Sequence, residues 1–372
     1  NVAVGMRALR DNTTANYNVA VGREAMLVNT TGIQNVAVGA LALDANTTSN
    51  NNTAVGYSAL TANTTGTRNT AVGTLALQSI TTGTNSTAIG YEALYYSTGS
   101  SNTAVGARCL DANTTGQQNV AIGEHALGSN TTASNNTAVG TNSLDANTTG
   151  TDCTAVGTEA LGQNTTGNNN TAVGKDTLQA NTTGANNAGF GAFALDASTT
   201  GSKNTGIGIG SLGSNTSASS NTAVGFDALF SNTTGSHHTA LGESAGFSNT
   251  IGNRNTALGY TAGYTNTAGD NNTSVGMAAL YYNTASNNTA VGRNALLSNT
   301  TGYISTAVGA YALDANTTGS FNAAFGGYAL SANTTGNYNV AFGYGSLQTN
   351  TTSRYNTALG HQALQVSTGA EN

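Results

Sequence analysis

The chain has 372 residues, of which 7% are charged and 6% are aromatic, and its formal net charge is −6. With only 10 Lys and Arg residues it lacks the basic stripe that binds nucleic acid, so we expect no nucleic-acid partner. No run of about 18 apolar residues occurs, so no membrane span is predicted within this segment.

A glycine that ends an Ala-Val-Gly-like step recurs at a fixed period from Gly5 to Gly360. There are 22 copies; nineteen of the 21 spacings are 17 residues and two are 16. A fixed short period along a whole chain is typical of repeat proteins, in which each unit packs against its neighbours. We therefore predict one continuous repeat domain over residues 1–372. Because the chain starts and stops inside a repeat, we expect it to be a fragment of a longer one.

The repeat is numbered here on the unit Asn52–Arg68, so that Asn52 is position 1 and Arg68 is position 17. Position 3 is Ala in 19 copies, position 4 is always Val, Ile, Leu or Phe, and position 9 is Leu in 19 copies. Positions 2 to 4 predict a short strand, with positions 2 and 4 on one face and position 3 on the other. Both faces are restricted in size, so we expect both to be buried, the second one by another chain.

The unit is too short for a helix pair, and the weak helix formers Asn, Thr and Gly dominate it. We predict an all-β fold, a parallel β-solenoid of 22 coils of 17 (twice 16) residues, with two short strands and two turns in each coil. Two coils have Gly246 and Gly263 at position 9, and the next residues, Phe247 and Tyr264, are expected to supply the missing volume. Identical Asn and Thr side chains at positions 1, 12 and 13 are expected to form hydrogen-bonded ladders along the stack.

Titratable side chains give no sign of catalysis. All 26 Asp, Glu, Lys and Arg residues fall at positions 6, 7, 10, 11, 16 or 17, which we expect to face outward. Cys109 and Cys153 lie about three coils apart, so we predict two buried thiols and no disulfide. No cluster has metal-ligand spacing, so we predict no enzyme, no metal and no cofactor. We interpret the four histidines as solvated turn residues: His125, His237, His238 and His361.

The phrases NTAVG and NVAVG resemble the NSVAIG-type head repeats of trimeric autotransporter adhesins. The longer phrase AVGxxALxxNTTGxxNTAVG is similar to repeats of bacterial and viral tail-fibre-like proteins. The likeness covers Asn1 to about Gly369, with a period somewhat longer than the commonest adhesin head spacing because of the NTTG turn. It implies a left-handed parallel β-roll, three chains around one axis, and an extracellular location on a cell surface or a virion fibre.

Three functions stay open at this point. The first is a structural or adhesive fibre, a homotrimer or filament of this chain, whose further partner is a host-surface or matrix glycan or protein. The second is a structural filament coated with glycans on its NTT turns. The third is an ice-binding solenoid that uses the unbroken rank of Thr at position 13.

The first two functions name candidate residues. Exposed aromatic side chains favour carbohydrate or protein contact, which makes the tyrosines near the first turn a candidate adhesive surface. They are Tyr57, Tyr91, Tyr95, Tyr96, Tyr260, Tyr264, Tyr281, Tyr282, Tyr311, Tyr328 and Tyr344. Fifteen position-12 asparagines begin N-T-T or N-T-S and satisfy the glycosylation rule. They are Asn12, Asn29, Asn46, Asn63, Asn113, Asn130, Asn147, Asn164, Asn181, Asn215, Asn232, Asn299, Asn316, Asn333 and Asn350.

Overall fold

The computed structural model describes residues 1–366. The chain divides into two compact units, Asn1–Asn186 and Asn187–Asn372, and each is described on its own. Residues 367–372, which include the end of the predicted repeat near Gly369, lie outside the described residues.

Within residues 1–366, each unit contains eleven strands of three residues, one at positions 2 to 4 of every coil. The strands of the first unit are β1 Val2–Val4, β2 Val19–Val21, β3 Val36–Val38, β4 Thr53–Val55, β5 Thr70–Val72, β6 Thr87–Ile89, β7 Thr103–Val105, β8 Val120–Ile122, β9 Thr137–Val139, β10 Thr154–Val156 and β11 Thr171–Val173. Those of the second unit are β12 Ala188–Phe190, β13 Thr205–Ile207, β14 Thr222–Val224, β15 Thr239–Leu241, β16 Thr256–Leu258, β17 Thr273–Val275, β18 Thr289–Val291, β19 Thr306–Val308, β20 Ala323–Phe325, β21 Val340–Phe342 and β22 Thr357–Leu359.

Consecutive strands within a unit pair in parallel, with equal repeat positions opposite each other. Ala54 of β4, for example, pairs with Ala71 of β5. The register also holds across a shortened coil, where Thr87 lies opposite Thr103 although 16 residues separate them. The missing residue is therefore taken out of the turn and not out of the strand. Each unit is a parallel β-solenoid, which confirms the predicted fold class.

In the part of the chain that the structure describes, each coil contains one strand, and the prediction of two was wrong. Positions 7, 9 and 17 usually have positive φ, as at Ser58 (49°), Leu60 (56°) and Arg68 (60°), so the backbone cannot run extended there. Hydrogen bonds between coils continue even so, because the Leu60 N–H donates to the Ala76 carbonyl at 3.0 Å. A side-chain pattern predicts which residues are buried but carries no information on the sign of φ, so it could not exclude a second strand.

The glycine at position 5 meets two requirements that exclude any other residue. Its φ lies between 122° and 142° in every coil, a region that L side chains rarely adopt. The backbone of the next coil also passes very close to it. A Cβ placed on Gly309 would lie 2.5 Å from the carbonyl carbon and oxygen of Gly326. The sequence left a positive φ and a close backbone approach as alternatives, and the structure has both.

The core lies inside the coil and is built from positions 3, 8 and 9. In the coil of β4 these are Ala54, Ala59 and Leu60, all with no exposed surface. No Asp, Glu, Lys or Arg among residues 1–366 is buried, which confirms the outward assignment of the charged positions. Cys109 and Cys153 are both buried and free, as predicted, and burial raises the pKa of the Cys109 thiol to about 12.

Candidate functional surfaces

The outward face of the strands carries a row of apolar side chains at position 4. Position 3 points into the core, so positions 2 and 4 point away from it. At position 4, Ile122 is 40% exposed in the first unit, and Leu241 (52%) and Phe342 (55%) are still more exposed in the second. Position 2 adds Thr, Val or, in two coils, Ala beside them, such as Val340 at 43%. In the single chain this outer face is open to water, and it is the face that we expected another chain to cover.

The position-12 asparagines form a buried ladder. Asn147 Nδ2 donates to Asn130 Oδ1 at 3.1 Å and to the Gly150 carbonyl at 3.0 Å. Its Oδ1 accepts from Asn164 Nδ2 at 3.0 Å. Fourteen of the fifteen candidate glycosylation sites are buried in this way, and Asn12 is half-buried. A glycan on Nδ2 would have to leave the coil through this packing, so the folded chain presents no free acceptor amide at the buried sites.

Two further ladders join the coils. At position 1, the Asn35 N–H donates to Asn18 Oδ1 at 2.9 Å, and Asn35 Nδ2 closes its own coil by donating to the Ser49 carbonyl at 2.8 Å. At position 13, Thr165 Oγ1 donates to the Thr182 carbonyl at 3.0 Å. The predicted ladders are thus confirmed. Many position-13 hydroxyls thus donate to backbone, whereas the threonines at position 14, such as Thr149, are exposed.

All eleven candidate adhesive tyrosines lie at the surface, either exposed or half-buried. Several of them stack on a neighbouring coil rather than standing free. Tyr264 and Tyr281 stack with ring centroids 4.9 Å apart, and Phe247 continues the stack at 5.2 Å from Tyr264. Tyr311 and Tyr328 also stack, at 5.1 Å. Inside such stacks the ring faces contact one another, so the inner rings present mainly their edges and hydroxyl groups to a partner.

Aromatic residues at position 17 form a second stack that the sequence analysis missed. Phe321, Tyr338 and Tyr355 follow one another on consecutive coils, with centroids 4.8 and 5.1 Å apart. Tyr338 is 46% exposed and Tyr355 is 57% exposed. The available signal was the recurrence of aromatic residues at one repeat position over three successive coils.

The aromatic residues after the two position-9 glycines do not fill the core, contrary to our expectation. Phe247 and Tyr264 point outward from position 10 and stack with Phe230 and Tyr281. The space that two leucines would occupy is therefore not filled by these aromatic rings. A side chain at position 10 cannot replace one at position 9, because position 9 points into the core of the coil and position 10 points to its outer surface.

His238 is buried, at 2% exposure, and its assignment as a solvated turn residue was wrong. It occupies position 1, where other coils have Asn, and its Nδ1 accepts the Asn255 N–H at 3.1 Å. Its Nε2 lies 2.7 Å from the side-chain nitrogen of Asn249. Burial lowers the pKa of His238 to about 4. Its sequence neighbour His237 is exposed, as predicted.

A polar hollow lies on the outer surface of the first unit. It has a volume of about 170 Å³ and lies over Gly162, where no side chain occupies position 10, between Asp145 and Glu159. Partial burial raises the pKa of Asp145. Among residues 1–366, no group of three or more His, Cys, Asp or Glu side chains is placed to hold a metal ion.

No family model matches the chain. The search of curated proteins finds no match either. Within residues 1–366 there is no helix with the length and hydrophobicity that crossing a membrane requires.

Proposed function

We propose that this chain is a non-enzymatic segment of an extracellular structural or adhesive fibre, which associates with copies of itself through the outward strand face. The observation that carries the proposal is the row of exposed apolar side chains at position 4, beside a core that each coil already completes. Contiguous apolar patches larger than a few hundred Å² are rare on monomeric proteins and mark interaction sites. A homotrimer with the three rows turned toward one axis would remove them from water.

The three-chain assembly and the extracellular location rest on the resemblance of the repeats to adhesin heads. The adhesive role is supported by the contrast between uniform core positions and variable outer positions within the repeat. Positions 3, 8 and 9 hardly vary, whereas charged and most aromatic side chains occur at the outer turn positions. A fibre of this kind would display variable side chains at regular spacing to a glycan or protein on a host surface or in its matrix.

The two other functions considered above receive less support. A glycan coat on the NTT turns would need accessible amides, and fourteen of the fifteen candidate asparagines are buried. An ice-binding face needs two parallel ranks of free Thr hydroxyl groups. At position 13 many of these hydroxyls donate to backbone carbonyls, as Thr114 Oγ1 does to Thr131 at 2.9 Å.

Native mass spectrometry of the intact assembly, isolated from its source, tests the proposal. A mass near three bare 37.0 kDa chains is the expected result. A bare monomer would contradict self-association and leave the Thr- and Val-rich strand face exposed, which would make an ice-recrystallisation assay the next step. A mass well above every integer multiple of the chain would favour the glycan-coated filament.

A charge-insertion variant locates the interface. V55K/V72K/I89K places three lysines on the outward face of β4, β5 and β6, where none of the side chains belongs to the internal core. We expect the triple variant to remain folded and to dissociate. The matched control A62K/T74K/Q78K adds the same charge to the same stretch at positions where charged residues occur naturally, and should keep the assembly intact. Equal assembly of the two variants would exclude the position-4 row as the interface.

A further inference from the structure

We propose that the second unit contains an internal water-binding site in the two adjacent coils that have glycine in place of leucine at position 9. The site would lie around Gly246 and Gly263 and would hold one ordered water, bound by the Asn249 side-chain amide and the Ser274 hydroxyl. This inference concerns the inside of the coil and does not depend on how the outer faces are used.

Space for the water comes from the two missing leucines. A cavity in this part of the core has about 20 Å³ available to the centre of a water-sized sphere. One water needs about 10–15 Å³ on that measure, so there is room for one. Leu229 and Leu280 close the cavity toward the neighbouring coils, and both are buried. Leu229 also leans into the gap, since a Cβ on Gly246 would lie 2.9 Å from its Cδ2.

The first polar group of the site is the hydroxyl of Ser274. Position 3 is Ala or Gly in every other copy, so this is the one hydroxyl on the inward face of the strands in the sequence. It lies beside the gap, because a Cβ on Gly263 would be 3.1 Å from Ser274 Oγ. Ser274 Oγ donates to the Thr256 carbonyl at 3.0 Å, which leaves its lone pairs free to accept from a water.

The second polar group is the amide of Asn249, where the position-12 ladder is interrupted. In the regular ladder an asparagine Oδ1 accepts from Nδ2 of the next coil, as Asn130 Oδ1 does from Asn147. Asn249 is buried and lines the cavity, yet its Oδ1 has no hydrogen-bond partner. The next asparagine in the ladder, Asn266, directs its Nδ2 to the Gly269 carbonyl at 2.8 Å instead.

The orientation of the Asn249 amide does not remove this need for a partner. His238 Nδ1 accepts the Asn255 N–H, so in the neutral ring the proton is on Nε2, and the Asn249 atom 2.7 Å away should be oxygen. Turning the amide accordingly satisfies the oxygen and leaves Nδ2 without a partner in its place. Leaving a buried amide atom unpaired is unfavourable, and a water in the cavity can pair with whichever of the two atoms is left over.

A high-resolution crystal structure of the intact chain, with and without xenon under pressure, tests the proposal. We expect electron density for one water within hydrogen-bond distance of the Asn249 amide and the Ser274 hydroxyl. Xenon in the cavity would show that it is dry and apolar. An empty cavity, or one closed by movement of Leu229, would overturn the proposal as well.

Long-lived internal water can also be counted in solution by oxygen-17 magnetic relaxation dispersion. The variant G263L/S274A restores the usual Leu and Ala at positions 9 and 3, and we expect it to lose one long-lived water relative to the natural chain. G327A, which lies at an outer position with ordinary contacts, should lose none. If the double variant does not fold, S274A alone should lose the same water. An unchanged count in the folded variants would overturn the assignment.

Discussion

The backbone N–H of Asn255 donates to Nδ1 of His238 at 3.1 Å, so the imidazole nitrogen does what an asparagine Oδ1 does elsewhere in the position-1 ladder. In the preceding coil, for example, the His238 N–H itself donates to Asn221 Oδ1 at 2.9 Å. The imidazole therefore imitates an asparagine as long as Nδ1 is unprotonated.

This relationship predicts a pH-dependent loss of stability. Burial lowers the pKa of His238 from 6.5 to about 4, so the unfolded chain binds the proton more readily than the folded chain. Above pH 6.5 the ring is neutral in both states and the folded chain has its full stability. As the pH falls toward 4, protonation of the unfolded chain lowers the free energy of unfolding by an amount on the order of 3 kcal/mol. The measurement is the free energy of unfolding of the natural chain and of His238→Asn between pH 7 and pH 4.

His238→Asn restores the usual ladder residue and should remove this dependence. Nearby groups also act on the ring, since Asp270 raises the pKa of His238 and His237 lowers it. Carboxylates whose pKa burial raises, such as Asp145 and Asp314, change stability in the opposite direction. Both effects occur in both proteins to a first approximation, so the difference between the two pH profiles isolates His238. Parallel profiles would contradict the prediction.

Substitution of a position-5 glycine should be strongly destabilising. Gly309→Ala places a Cβ at φ 137° and within 2.5 Å of the Gly326 backbone, and we expect a loss on the order of 3 kcal/mol in the free energy of unfolding. Gly327→Ala is the matched control, since its Cβ would have no contact closer than 3.4 Å. Denaturant unfolding measures both. A similar loss in both variants would mean that chain entropy, and not the close approach, explains the conserved use of glycine along the repeat.

Two adjacent leucines, Leu296 and Leu297, show the difference between a core position and an outer position of the coil. Leu296 at position 9 has no exposed surface, whereas Leu297 at position 10 is half-buried on the outer side. Leu296→Ala should destabilise by about 2–5 kcal/mol, because it removes a buried side chain and leaves a cavity. Leu297→Ala should cost clearly less. Thermal and denaturant unfolding distinguish the two, and an equal cost would argue that position 10 belongs to the core.

The asparagine ladder makes a separate prediction. Asn147→Ala leaves Asn130 Oδ1 without its partner inside the coil, and we expect a loss of about 1–3 kcal/mol. Thr149→Ala, in the same turn but exposed at position 14, should change stability by less than about 0.5 kcal/mol. Amide hydrogen exchange around β9 and β10 gives a local readout. Faster exchange in Thr149→Ala than in Asn147→Ala would show that the ladder is not what holds these coils together.

Much of this architecture could be predicted from the repeat alone. The 17-residue period, the strand at positions 2 to 4, the buried Ala and Leu positions, the outward charges and the side-chain ladders all follow from which residue types recur where. They are predictable because each coil contacts its nearest neighbours, so a side-chain requirement met once is repeated at the same position in every copy.

The backbone conformation and the exceptions to the repeat could be read only from the folded chain. The positive φ of Leu60 shows that the segment after the first strand is not a second strand, and no side-chain pattern encodes the sign of φ. His238 and the gap at Gly246 and Gly263 depend on what the neighbouring coils place around one residue. Recurring residue types therefore specify the consensus coil of a repeat. The structural effect of each departure from the consensus depends on how the neighbouring coils pack around it.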